Sequence, residues 1–399
     1  MNIWLLHPFA GGPGLGRHWR PYLLAEAWGR MGHKPIVICA NFHHLLVGGT
    51  RPPGPQRIGE VDFWFVDTPR YAGSVGRLRN NISFGLRSSR DAAAISQQFG
   101  KPDLVIASTP HLFFVSVAGR MARRLGAKFW VEVRDLWPES IVALGLMPAR
   151  HPLITLLAWQ ERLAYRSADR VVCLLGGAEA YMNSRGLAPG RFRWIPNGVS
   201  ESEIRRAREP AEVTLPFIER IRDLKRQGKR VVLYAGSMGP PNAVEYLVDA
   251  AALLAGSNPE IQFVLVGSGT SREALQQRAS GLANVEFHEE VDRPVAHAAL
   301  RLCDCAAVSF HNNRLYDYGI SPNKIFDYCL FAPRSVIACA PKALTGLEDL
   351  VTLRCAPDDP SELAQGLLSA LAGPEQKLEK RVAAVERFSY SALAARYLA

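Results

Sequence analysis

Arg230-Val-Val-Leu-Tyr-Ala-Gly236 is a short aliphatic run that stops at a glycine and leads through Ser237-Met-Gly-Pro-Pro-Asn242 into an amphipathic stretch, residues 243–254. An apolar run of this length, rich in β-branched residues, predicts a strand buried on both faces, and the helical period behind it predicts a crossover helix. The unit recurs. Apolar runs at residues 261–266, 284–288, 304–310 and 335–339 carry the same rhythm toward the C-terminus. An earlier copy fills the first half, with strands expected at 2–7, 35–40, 61–66, 103–108, 127–133 and 169–174. Helical stretches at 19–31, 82–99, 112–125 and 151–167 separate them. The alternation predicts an α/β chain of two tandem doubly wound domains, with an inter-domain cleft between the carboxyl ends of their strands as the ligand site. The polar stretch 200–228 reads as a linker plus a helix, and the Gly-, Pro- and Arg-rich stretch 48–59 as an irregular, moving surface loop.

Composition narrows the classes. With 399 residues, 48% hydrophobic and 21% charged, the chain is globular and long enough for two cores. No apolar run approaches the roughly 18 residues that span a bilayer. Met1-Asn-Ile-Trp-Leu-Leu-His-Pro8 lacks a basic leader region and reads as a buried strand rather than a signal peptide. Seven cysteines without paired spacing indicate reduced thiols and a cytoplasmic protein. Cys303-Asp-Cys305 is too tight for a zinc knuckle, and His288-Glu-Glu290 and His43-His44 lack zinc-protease spacing, so no metal site is expected. The net charge is +10, with arginines gathered in the first half at positions 77, 79, 87, 90, 120, 123 and 124. Such a surface suits an anionic membrane or a pyrophosphate-bearing substrate, or is simply a soluble basic face. No RNA-binding motif, zinc finger or basic arm supports a nucleic-acid partner.

Gly319-Ile-Ser-Pro-Asn-Lys-Ile-Phe-Asp-Tyr328 carries the clearest chemistry. Ser321 suits an N-cap and Pro322 the first helical position. The backbone N–H groups of Asn323 and Lys324 would then open at a helix start that favours anions, and the Lys324 ammonium adds a full charge there. Asp327, one turn on, can accept from hydroxyls of whatever carries the phosphate. The competing reading is an ordinary capped helix with both side chains solvated. Three glycine loops follow expected strands: Gly11-Gly-Pro-Gly-Leu-Gly16, Gly236-Ser-Met-Gly239 and Gly267-Ser-Gly269. Arg17 and Arg272 stand where a dinucleotide fingerprint needs its third glycine, and no Walker sequence is present. Backbone approach to a phosphate remains open to Gly12, Gly14, Gly236, Ser237, Gly239, Gly267, Ser268 and Gly269.

Glu132-Val-Arg-Asp-Leu-Trp-Pro-Glu-Ser140, Ile195-Pro-Asn-Gly-Val199, Leu233-Tyr-Ala-Gly236, Val266-Gly-Ser-Gly269 and Ser321-Pro-Asn-Lys-Ile-Phe-Asp-Tyr328 together resemble glycosyltransferase family 4. The resemblance is strongest to bacterial O-antigen and capsule members, including N-acetylfucosamine transferases. It runs in family order across essentially the whole chain, to the tail Phe388-Ser-Tyr390.

The resemblance implies a GT-B fold of two Rossmann-like domains: an N-terminal acceptor domain, residues 1–200, a C-terminal nucleotide-sugar domain, residues 201–387, and a last helix near residues 388–399 that packs back on the first domain. It implies metal-independent, configuration-retaining transfer of a sugar, an N-acetylated amino sugar, from a UDP-sugar to a polyprenyl-diphosphate-linked saccharide, with no further cofactor. Ser321, Asn323, Lys324 and the glycine loops would hold the diphosphate, and Asp327 the ribose. Glu132, Arg134 and Asp135 become catalytic candidates beside Lys324, against the alternative of a structural salt-bridge cluster. Two departures stand out: no cation lies in residues 237–242, where many members carry an arginine and a lysine, and Gly319 replaces the first of two acids eight positions apart. The alternatives are a nucleotide-sugar epimerase or hydrolase of the same fold, or a non-catalytic nucleotide- or membrane-binding homologue. A lipid-linked acceptor would put the basic first half against the cytoplasmic face of an anionic inner membrane, as a peripheral contact.

Overall fold

The computed structural model describes residues 1–209 and 212–399, so positions 210 and 211 of the expected linker lie outside the described residues. The chain divides into two compact units, Met1–Asn197 with Tyr390–Ala399, and Gly198–Ser389. The divisions fall a few residues from 200/201 and 387/388 because Val199 pairs with Ser389 and donates its N–H to the Phe388 carbonyl (3.1 Å), tying both crossings into unit 2.

Unit 1 contains β1 (Asn2–Leu6), β2 (Lys34–Ala40), β3 (Gly54–Ile58), β4 (Val61–Val66), β5 (Leu104–Thr109), β6 (Lys128–Val133), β7 (Arg170–Cys173) and β8 (Phe192–Trp194). They form one sheet in the order β3-β4-β2-β1-β5-β6-β7-β8, parallel except for the β3–β4 pair. Its central strands are buried on both faces, which is why they read as unbroken apolar runs. Its helices are α1 (Arg20–Arg30), α2 (Gly73–Phe99), α3 (Val115–Leu125), α4 (Glu139–Ala143), α5 (Pro152–Ser167) and α6 (Glu179–Ser184). The loop expected at 48–59 contains β3, an edge strand of alternating exposure whose Arg57 meets Asp62 across the pair (3.0 Å). The start of α2 lies nine residues ahead of the expected position 82.

Unit 2 begins with α7 (Glu201–Arg208) and α8 (Pro216–Arg226), so the expected linker is largely helical. Ser200 and Glu203 form a reciprocal capping box at the α7 start, and Ile218, Ile221 and Leu224 give α8 a buried stripe. Then follow β9 (Arg230–Ala235), α9 (Glu245–Leu254), β10 (Ile261–Val266), α10 (Arg272–Arg278), β11 (Val285–His288), α11 (Arg293–Leu302) and β12 (Cys305–Ser309). The unit closes with α12 (Asn323–Phe331), β13 (Ser335–Ala338), β14 (Leu353–Cys355), α13 (Pro360–Ala372) and α14 (Leu378–Glu386). The sheet order is β11-β10-β9-β12-β13-β14, all parallel. In each unit the first strand lies between partners reached in opposite directions, and crevices open at such switch points, at the carboxyl ends of the strands. All seven cysteines are unpaired and buried, and burial pushes the Cys39 and Cys173 thiols up to about 12.

The last helix, α15 (Tyr390–Leu398), belongs to unit 1 and packs on α1. Trp28 donates its indole N–H to the Ala394 carbonyl (3.1 Å), and the fully buried Tyr397 ring lies between Trp28 and Trp130, at 5.2 and 6.0 Å between centroids. Replacing Tyr397 with alanine is expected to destabilise unit 1 by about 3–5 kcal/mol, the usual range for a buried aromatic. Urea unfolding reads it, and a loss below about 1 kcal/mol would show that α15 is a loosely held tail.

Candidate functional site

In unit 2 the site is built where β9, β10 and α12 meet. The loops after β9 and β10 pack backbone on backbone: Met238 donates its N–H to the Ser268 carbonyl (2.8 Å) and Gly236 to Val266 (3.0 Å). A Cβ at Gly267 would stand 1.9 Å from the Gly236 carbonyl oxygen, and one at Gly269 2.4 Å from that of Met238, both from positive φ. The close contact these two glycines permit is therefore with the neighbouring loop. Ser268 donates to Glu290 (2.5 Å). Gly236 has another role, since a Cβ there would sit 2.9 Å from the Lys324 ammonium. The absent side chain at 236 is the space the lysine occupies.

Lys324 donates to the Asn242 side-chain oxygen (2.7 Å) and the Tyr234 hydroxyl (3.0 Å), with its nitrogen 4.7 Å from the Tyr234 ring centre. Tyr234 in turn donates to the Ser237 carbonyl (2.6 Å), so the lysine is tied to the β9 loop. No carboxylate pairs with Lys324 among the described residues, and burial lowers its pKa to about 7. Tyr328 fixes α12 against β9, accepting from the Ala235 N–H at 2.8 Å and donating to its carbonyl at 3.2 Å. The helix starts one residue later than the sequence indicated: its N-cap is Pro322, without a side-chain cap, so Ser321 lies outside the helix. Asn323 and Lys324 are then the first two helical residues, whose N–H groups have no intrahelical acceptor.

Asp327 is not an open hydroxyl acceptor. Arg293 donates to it (2.7 Å) and His297 lies 3.3 Å away, while Arg293 also reaches Glu203 (2.8 Å). Burial pushes the Asp327 carboxyl up, but Arg293 and His297 outweigh it and hold it well below the usual range. Carboxylate and imidazole atoms of Glu203, His297 and Asp327 converge within 4.8 Å, a separation a metal ion could bridge, yet the Arg293 guanidinium already bonds to two of the three. The sequence showed the acid; it did not show the arginine 34 positions earlier that claims it.

In unit 1, Glu132 is 1% exposed. Arg20 donates Nε and Nη2 to one carboxylate oxygen (3.0 and 2.9 Å), and Ser108 donates to the other (2.6 Å). Burial opposes its charge, but Arg20 and Ser108 pull its pKa below the usual carboxylate range. Arg20 also donates to the Ile195 carbonyl (2.9 Å), so Glu132 anchors the Ile195-Pro-Asn-Gly-Val199 strand end instead of reaching substrate. Gly12 is likewise structural: it is buried, a Cβ there would meet the Tyr22 ring at 3.1 Å, and it bridges to Gly16 within its own turn. Gly14 is exposed and offers its carbonyl to Arg51 (2.7 Å).

Arg134 and Asp135 stand at the open end of β6. Asp135 is exposed, though the surrounding protein still raises its pKa, with Arg134 opposing. Arg134 Nη1 lies 3.3 Å from His7 Nε2, and the Phe9 N–H points at His7 Nδ1 (3.1 Å). Burial lowers the His7 pKa well below its ordinary value, so the ring is neutral. With Nδ1 accepting, Nε2 carries the proton and faces Arg134 donor to donor. Both need an oxygen. His43, His44 and His111 gather around Phe9 at 5.4–5.9 Å, and His18 stands 5.8 Å from His7. Burial lowers His18 and His43 to about 4 and His111 to about 3, so these rings too are neutral at pH 7. This cluster was missed along the chain, and His7, His43, His44 and His111 lie within a few residues of the ends of β1, β2 and β5. That shared position, rather than any spacing between histidines, was the available signal.

The family model described as "Glycosyl transferase 4-like domain" matches residues 15–198, and that described as "Glycosyl transferases group 1" matches residues 229–373. The chain belongs to glycosyltransferase family 4. Among curated relatives of this glycosyltransferase, the putative colanic acid biosynthesis glycosyl transferase WcaI of Escherichia coli K12 is 24% identical over 78% of this chain and 76% of its own. The probable glycosyltransferase WbjE of Pseudomonas aeruginosa is 26% identical over 66% of this chain and 64% of its own. Among solved structures, sucrose-phosphate synthase from Thermosynechococcus elongatus superposes with a TM-score of 0.72 at 16% identity, covering 99% of this chain and 97% of that one. WaaG, described as a glycosyltransferase involved in lipopolysaccharide biosynthesis, gives 0.63 at 15% identity, covering 98% and 95%. These likenesses establish the GT-B fold. Within it, Gly319 has φ +101°, a conformation that side-chain-bearing residues avoid, so this glycosyltransferase could not carry the family's first acid there without rebuilding the turn.

Arg20→Ala leaves Glu132 buried without its cation and is expected to destabilise the fold by about 3–5 kcal/mol. Denaturant midpoints check this. A variant of unchanged stability that lost turnover would return Glu132 to the chemistry.

Proposed function

We propose that this glycosyltransferase moves a sugar, an N-acetylated amino sugar, from a UDP-sugar to a saccharide carried on polyprenyl diphosphate. The transfer retains configuration, needs no metal, and serves lipopolysaccharide O-antigen or capsule assembly at the cytoplasmic face of the inner membrane. The observation that carries the reading is Lys324: a lysine close to neutrality, held by two neutral oxygens at a helix start, lacks the anion that would stabilise its charge. A departing diphosphate supplies that anion, and preorganised donors aimed at developing charge do more for the rate than any other device such a site offers. The names of relatives support the class of pathway, WcaI by colanic acid and WaaG by lipopolysaccharide, and Anabaena HepE is described in complex with UDP and glucose.

In the reaction, the bond from the anomeric carbon to the diphosphate oxygen breaks, and the acceptor oxygen forms the new glycosidic bond on the same face. The acceptor proton passes to the departing diphosphate. Lys324 and the N–H groups of Asn323 and Lys324 hold the charge that accumulates there. On the acceptor side, Arg134 and His7, two donors facing one another, suit a saccharide oxygen placed between them. Acceptor-dependent release of UDP tests the reading. UDP released without acceptor would indicate a hydrolase, and isomerised donor an epimerase.

The pH dependence follows from the sign of the lysine shift. Lowering its pKa from 10.5 to about 7 means that the unfolded chain binds more protons between these values, so the unliganded fold gains stability as pH rises through that interval. UDP does the opposite, because its diphosphate needs the ammonium. Affinity for UDP is expected to fall by up to about tenfold per pH unit above pH 7. In Lys324→Arg, whose cation does not titrate, calorimetry should give a flat profile over the same range. Identical profiles for both proteins would remove Lys324 from the diphosphate site.

A further inference from the structure

α3 packs between α2 and α5 over the unit 1 sheet, and the outer sides of these helices are unusual. On α2, Val75 is 83% exposed, Leu86 57%, Ile82 43% and Leu78 38%. At about 100° per residue these four fall within roughly 80° of arc, a single apolar stripe pointing to solvent. α5 repeats the arrangement with Leu156 (46%), Trp159 (56%) and Leu163 (36%), and Leu146 just before it is 70% exposed. Scattered exposed leucines need no explanation, but two aligned stripes do.

The charge around them is of one sign. Every exposed charged side chain on the three helices is an arginine: Arg77, Arg79 and Arg90 on α2, Arg120, Arg123 and Arg124 on α3, and Arg162 and Arg166 on α5. The two acids there, Asp91 half-buried and Glu161 buried, are both hydrogen-bonded. Asp91 accepts from the Trp64 indole (3.1 Å), and Glu161 is fully buried beside the Tyr181 hydroxyl (3.3 Å). On the helical wheel Arg79 and Arg90 border one side of the α2 stripe and Arg166 borders that of α5, while α3 lays a row of arginines between them. An apolar stripe bordered by cations is the signature of a helix lying in a membrane interface, where arginine stems reach phosphate and tryptophan sits at headgroup depth.

We propose that the α2–α3–α5 face docks unit 1 on an anionic bilayer, with Val75, Ile82, Leu86 and Trp159 in the headgroup–acyl boundary and the arginines on lipid phosphates. The purpose of the docking, presenting a lipid-linked acceptor, rests on the function proposed above; the docking itself does not. Two apolar stripes standing apart with arginines between them fit a planar, fluid, negatively charged surface, and the three helices offer a basic partner no fully exposed acid. They also give the N-terminal turns of α2 a reason to lack a core-facing pattern.

The full-length protein is incubated with phosphatidylcholine vesicles and with vesicles holding about 30 mol% phosphatidylglycerol, and binding is followed by sedimentation and tryptophan emission. Binding to the anionic vesicles alone is expected, with a blue shift that is absent from Trp159→Phe. Leu86→Glu and Trp159→Glu are each expected to weaken binding about tenfold or more at unchanged melting temperature and unchanged UDP affinity. Binding that survives both glutamate variants, or no binding at low salt, overturns the proposal. So does a dimer in sedimentation velocity that Leu86→Glu dissociates, since a second copy would then cover the face. Vesicle binding by a wild-type protein that ignores UDP would uphold the docking face and contradict the donor assignment instead.

Discussion

The constraint around which unit 2 is organised is a lysine charge that meets no carboxylate among the described residues. Lys324 sits where Gly236 makes room, above the Tyr234 ring, between Tyr234 and Asn242. Removing an ammonium from water without an opposing charge is unfavourable, and the fold accepts it by holding the group near neutrality. The neighbouring features follow from keeping that position. Tyr328 pins α12 to β9, the glycines at 267 and 269 let two loops close on each other, and the Asn323 and Lys324 amides stay at the helix start. Asp327, three residues on, is neutralised by Arg293, which also bonds Glu203 on α7, so its charge is spent on holding helices together.

Unit 1 manages its charges in two ways. Arg20 and Glu132 are fully paired inside, and the pair joins the end of β6 to the chain at Ile195. At the open strand ends, Arg134 stands among imidazoles that burial keeps neutral, each with one donor and one acceptor nitrogen. Burial with a full set of partners sets the Arg20–Glu132 pair apart from that cluster.

The parallel architecture was legible because strands buried on both faces leave unbroken apolar runs, as at Val231–Leu233 and Phe263–Val266. β3, β8 and β14 were not, because edge strands of three to five residues with partial exposure carry no such run. The first turns of α2 escaped because their apolar residues face outward. At the site, Lys324 was legible from a local pattern, the helix start with its own lysine. The fates of Glu132 and Asp327 were not, since Arg20 and Arg293 reach them across 112 and 34 positions of sequence. The histidine cluster needed the sheet order to assemble it: β1 lies between β2 and β5, which brings residues 7, 43 and 111 to one edge.

The most direct test of the central claim is a crystal structure of the full chain with bound UDP. The β-phosphate is expected within about 3 Å of the Lys324 ammonium and of the Asn323 and Lys324 amide nitrogens, with the lysine drawn from Asn242 toward the ligand. A diphosphate bound elsewhere, with Lys324 still held between Tyr234 and Asn242, would contradict it.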